Sequence, residues 1–172
     1  MSARRETVLT AVRYGLSLLL LLLLQTVVLP MLPLGIFPNL LLPAVIAVAL
    51  IEGYEGGMLF ALFAGLFGWA LGETGFSVLP LFYVTVAFFA GFLSEQFDAG
   101  RKWPVFALLN ALFCACGGLF TLFRIVATWT GYDLLTVLKD VIWPECLFTY
   151  LLSFPISLFF VLLKGRRRQK KH

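Results

Sequence analysis

Long apolar runs separated by short turns carry the chain from Tyr14 to Leu163. The runs are continuous rather than alternating in ten-residue segments, which predicts membrane helices and not the strands of a barrel. Six are read, over residues 14–29, 38–51, 58–71, 78–97, 104–129 and 143–163. The first ends at Pro30, and an uncharged connector with Pro33 and Gly35 follows it. Glu52-Gly53-Tyr54-Glu55-Gly56-Gly57 forms a tight turn between the second and third runs. Gly72-Glu73-Thr74-Gly75 and Asp98-Ala99-Gly100-Arg101-Lys102 mark the next two turns, and residues 130–140 read as a longer polar connector. Glycine clusters of this kind punctuate helices. Pro38, Pro104 and Pro144 sit near helix starts, where a missing N–H costs little.

The second and third runs are short. About 12–14 apolar residues rise roughly 20 Å, against a hydrocarbon core of ~30 Å. Either both cross with help from flanking residues, or they form a re-entrant hairpin that leaves four full spans. Both arrangements keep the same placement of the termini.

Composition strengthens the membrane reading. The chain is 61% hydrophobic and 13% charged, with a mean hydropathy of +0.98, more apolar surface than 172 residues can hide from water. The expected fold is therefore an all-α integral membrane protein, a compact bundle forming one domain over residues 1–172. Arg4, Arg5 and Arg13 precede the first run, but no small-x-small cleavage site follows it. It reads as the first membrane helix rather than a removable signal.

Charge orients the ladder. Of 13 Lys and Arg residues, 11 lie at the N-terminus, at Arg101-Lys102 or in the tail from Lys164 to Lys171. With six crossings these three places share one side, which the positive-inside rule makes cytoplasmic. Both termini are then cytoplasmic, with Lys139 and Arg124 toward the other side. The basic tail suits anionic headgroups, and with no soluble basic helix or stacking loop a nucleic-acid groove is not expected.

Catalytic chemistry is sparse. The one histidine is the last residue, His172, and no P-loop or paired-aspartate motif occurs. The chain reads as a non-enzyme without a cofactor. Cys114 and Cys116 are two apart on a helix and point to different faces, so the cysteines read as packing residues and no metal site is expected.

Small residues mark contact faces. Gly53, Gly57, Ala61, Gly65, Gly68 and Gly72 recur at helical spacing along the third run, a helix-packing or partner face. Ala107, Ala111, Ala115 and Gly118 repeat the device in the fifth, and Ala87, Gly91 and Ser94 in the fourth. Arg124 lies within the outer part of the fifth run. It either snorkels to the interface or pairs with Asp140 or Glu145 at the start of the sixth.

Read in order, Leu24-Gln25-Thr26, Leu29-Pro30, Gly35, Pro38-Asn39-Leu40-Leu41-Leu42, Glu52-Gly53, Gly57, Ala64-Gly65-Leu66, Tyr83 and Ala90-Gly91 resemble the MreD family of rod-shape-determining membrane proteins. The likeness covers somewhat over half the chain. Where family members often carry an acidic residue after the glycine of helix three, this chain has Trp69, with Glu73 one turn on. The resemblance implies a non-catalytic scaffold in the bacterial inner membrane, within the cell-wall elongation complex. Its implied partners are an MreC-like single-span protein, an MreB-type filament, and the penicillin-binding and glycosyltransferase proteins of peptidoglycan synthesis. The alternative is the substrate-binding membrane subunit of an energy-coupling-factor type transporter. That class needs converging polar groups on the outer side, where this chain offers Glu73, Thr74, Arg124, Asp133 and Asp140. An enzyme of lipid-linked substrates is the third option.

Overall fold

The computed structural model describes residues 3–31, 39–71, 78–97, 103–128 and 134–165, and all its regular elements are helical. We label the principal helices α1 (Ala3–Leu23), α2 (Leu41–Ala70), α3 (Leu79–Phe97), α4 (Trp103–Thr128) and α5 (Trp143–Gly165). Two are extended by short segments. After α1 come a π turn at Leu24–Val28 and a helical turn at Leu29–Met31. Before α5 come a helical turn at Leu134–Val137 and a π turn at Leu138–Ile142.

Each π turn has a proline just beyond it. Pro30 and Pro144 lack the N–H that would reach Thr26 and Asp140, and a proline ring clashes with the carbonyl four residues back. Widening the helix there relieves the clash, and Leu29 N–H reaches Leu24 O while Trp143 N–H reaches Leu138 O, five residues back in each case. The helix therefore continues through Pro30 instead of ending before it. Residues 134–140, expected as connector, are helical, so the last long helix begins well before residue 143. Lys139 and Asp140 are exposed there, and such polar side chains do not interrupt a helix that has solvent or headgroups beside it.

Among the described residues five stretches, not six, are long and apolar enough to cross a membrane: Thr10–Met31, Leu41–Ala70, Leu79–Phe97, Pro104–Val126 and Leu135–Leu162. The second and third expected runs join in α2, because the turn expected at residues 52–57 is helical except at Gly53. Gly53 takes φ 85° and ψ −176°, a region open in practice only to glycine. That one residue reverses the chain. In a straight helix Ala49 and Gly57 would stand about 12 Å apart along the axis. Here a Cβ on Gly57 would lie 2.6 Å from Ala49 Cα, so the arms 41–52 and 54–70 lie side by side.

The first arm is the centre of the bundle. Every residue from Leu41 to Leu50 is buried. α3 packs along α2 more extensively than any other helix does, with α5 next. Gly91 lies against the backbone of Tyr54, and Gly65 against Pro80, approaches that leave no room for a Cβ. Outward positions remain apolar, as at Leu16, Leu108, Leu119, Leu151 and Leu162, which suits a surface solvated by lipid chains.

Candidate functional site

The polar groups of this bundle gather where the first arm of α2 begins. A helix start leaves its first N–H groups without intrahelical partners, and inside an apolar bundle each must be satisfied by a side chain. Asn39 N–H donates to Thr149 Oγ1 at 3.3 Å. Leu40 and Leu41 N–H both donate to Gln25 Oε1, at 2.9 and 3.2 Å. Leu42 N–H donates to Asn39 Oδ1 at 3.0 Å, so the residue just before the N-cap Leu40 supplies a side-chain acceptor. Pro43 has no N–H, and Ala44 N–H makes the first helical bond, to Leu40 O.

Three other elements hold those caps. Gln25 projects from the π turn after α1, Thr149 is buried on α5, and Tyr83 is fully buried on α3. Asn39 Nδ2 donates to Tyr83 Oη at 2.9 Å, and the phenol reaches Asn39 Oδ1 at 3.2 Å. The first arm is fixed at its other end too. Ser94 Oγ donates to Leu50 O at 2.9 Å, and Tyr14 Oη donates to Glu52 Oε1 at 2.7 Å. Tyr14 also stacks on Phe160 and meets Phe60 edge-on.

Beside the capped helix start lies a partly open cavity of about 200 Å³. Gln25, Asn39, Tyr83 and Thr149 form one wall, while Thr121 and Arg124 from α4 face Glu145 and Cys146 from α5. Phe82 and Phe120, stacked with centroids 4.1 Å apart, close another side. Thr121 Oγ1 donates to Glu145 Oε1 at 3.4 Å, and Arg124 is near enough for its charge to act on the Glu145 carboxylate.

The residues singled out from the sequence fall into two groups. Gly57, Ala61, Gly65 and Gly68 are buried, with Ala49 and Pro80 filling the space at Gly57 and Gly65. Helices of this same chain thus occupy that face. Gly53 is the reversal point, and Gly72 lies outside the described residues. In the second group, Arg124 shares the cavity with Glu145, whereas Asp140 is exposed on the π turn before α5. Glu73, Thr74 and Asp133 lie outside the described residues. Gly118 is buried against Cys146 Sγ, but Ala111 and Ala115 face outward, so the small-residue series of the fifth run is split between core and surface.

Thr121, Cys146 and Thr149 were not anticipated as part of a site. The available signal was a polar side chain inside an apolar run, which in lipid calls for a partner. The same signal marks Asn110, fully buried, whose Nδ2 donates to Ser153 Oγ at 2.7 Å between α4 and α5. The three cysteines are free, and no cluster of three or more His, Cys, Asp or Glu side chains suited to a metal occurs among the described residues. No family model, curated protein or solved structure matches this chain.

Proposed function

We propose that this chain is a non-catalytic scaffold of the MreD type, holding partner helices in the cell-wall elongation complex of a bacterial cytoplasmic membrane. One observation carries the reading. Several of the residues behind the resemblance lie at joints of the bundle: Gln25 and Asn39 hold the buried helix start, Tyr83 holds Asn39, and Gly53 reverses the chain. Gly57, Gly65 and Gly91 sit where one helix backbone meets another. That the polar and glycine positions of the pattern fall at such joints is what supports this reading.

On this reading the arms of α2 count as two passes, so the bundle crosses six times and both termini are cytoplasmic. The partners are an MreC-like single-span protein, an MreB-type filament, and penicillin-binding and glycosyltransferase proteins. With the third-run glycines occupied internally, partner helices meet the outward faces of α1, α4 or α5. The test is mild extraction of the tagged protein from its host, followed by mass spectrometry of what co-purifies. Recovery of MreC-like and penicillin-binding proteins is expected. Recovery of paired ATPases with a coupling subunit would replace this reading with the transporter one, which the polar cavity also accommodates.

A further inference from the structure

Hydrogen-bond donors outnumber acceptors at one corner of the cavity. Gln25 Oε1 accepts the Leu40 and Leu41 N–H groups, which fixes the carboxamide and turns its Nε2 away from the helix start. Among the described residues that Nε2 meets no acceptor, so both of its N–H donors are left over. Thr149 Oγ1 accepts the Asn39 N–H, and among the described residues its own hydroxyl proton meets no acceptor either. Thr149 is only 3% exposed, so bulk water does not supply one. The two side chains stand together, because they hold the N–H groups of consecutive residues, Asn39 and Leu40. Both line the cavity.

The rest of the lining limits what fits there. Arg124 and Glu145 are present, but their opposite charges act on each other, which leaves no net charge to recruit an ion. Leu29, Leu42 and Leu79 are apolar walls, together with the stacked rings of Phe82 and Phe120. A void of about 200 Å³ is narrow, so a molecule held at the Gln25 corner touches those walls too. Water suits such a corner poorly, since each molecule brings donors of its own. A carbonyl oxygen brings acceptor positions alone.

We propose that this cavity binds a membrane-soluble carbonyl compound, its oxygen accepting from Gln25 Nε2 and the Thr149 hydroxyl and its carbon skeleton lying against Phe82 and Phe120. Two sources share that chemistry, the ring of a quinone and the acyl ester of a glycerolipid. The inference does not depend on the scaffold reading, since either ligand could serve a scaffold or a transporter subunit.

The experiment uses the full-length protein in nanodiscs of ether-linked phosphatidylglycerol, a bilayer without carbonyl groups. Unfolding temperature is followed against dimethylnaphthoquinone, whose blocked ring cannot add to the cysteines, and against dimethylnaphthalene, which lacks the oxygens. A second pair compares dihexanoyl phosphatidylglycerol with its dihexyl ether. A saturable rise with the quinone and not the hydrocarbon assigns the quinone ring. A rise with the ester and not the ether assigns the lipid. Gln25→Glu keeps an acceptor for Leu40 and Leu41 but gives up both donors. It should weaken the response about tenfold, the scale of one or two lost hydrogen bonds. Equal responses within each pair, no response from the wild-type protein, or an undiminished response in folded Gln25→Glu would overturn the proposal. The wild-type comparisons stand even if that variant fails to fold.

Discussion

Gln25 Oε1 accepts the backbone N–H of Leu40 at 2.9 Å across 15 residues of chain, and this bond ties the end of the first helix to the start of the buried one. The same oxygen takes Leu41 N–H, so one side chain satisfies two donors that the apolar interior cannot. Gln25→Leu removes the acceptor without removing the donors. The expected loss is about 1–3 kcal/mol of stability, the penalty for stranding a buried polar group. Gln25→Glu retains an acceptor at the same reach and should lose less. Reversible unfolding in mild detergent, comparing the two variants with wild type, checks the ordering.

Glycines in this chain differ by surroundings, and the sign of a glycine-to-alanine change should follow. Gly53→Ala places a side chain at φ 85°, at a cost of about 1–3 kcal/mol. Gly57→Ala puts a methyl group 2.6 Å from the Ala49 backbone, so the two arms of α2 must separate. Gly15, within α1, has nothing within 4 Å of its would-be Cβ. Alanine there should stabilise by about 0.5–1 kcal/mol through helix propensity alone. Thermal melts of the three variants under one condition would separate the classes. A destabilised Gly15→Ala would show that something covers that open face.

How much of this could be read in the sequence depended on the range of the interaction. The reversal near Gly53 was legible because glycines and glutamates cluster locally between two apolar runs. The small face at Gly57, Ala61 and Gly65 was legible because its period is helical. What covers that face was not, since Ala49 and Pro80 come from other arms and helices. Pro30 was read as a stop, yet a π turn lets the helix pass it. Residues 134–140 were read as connector because of their charge, but those charges need only an exposed helix face. Gln25 and Asn39 were noticed as polar positions, while their pairing with Leu40 and Tyr83 spans 15 and 44 residues. No local pattern encodes a bond of that kind.

On the proposed topology the fold-back at Gly53 also sets the parity of the crossings. If α2 crossed once, five crossings would place the N-terminal arginines and the C-terminal basic tail on opposite sides, against the bias of positive charge. On the proposed reading its two arms count as two passes, which makes the crossing number even. Single cysteines introduced near residues 4 and 168, in a background lacking Cys114, Cys116 and Cys146, should both resist a membrane-impermeant maleimide in intact cells. Both should react after permeabilisation. Labelling of one site alone in intact cells would refute the hairpin.

Arg124 and Glu145 lie on facing helices around one cavity, and their coupling can be measured apart from their separate effects. Removing either charge leaves the other in a partly buried site where solvation is poor, so each single change destabilises by more than the pair contributes net. Arg124→Ala and Glu145→Ala should each lower folded yield and unfolding temperature. The double variant should be less damaged than the two losses added, with an interaction energy of about 0.5–3 kcal/mol. Asp140→Ala, exposed on the preceding π turn, serves as the control and should be additive with Arg124→Ala. Strict additivity of Arg124 with Glu145 would mean that the two charges are held independently, each by other groups.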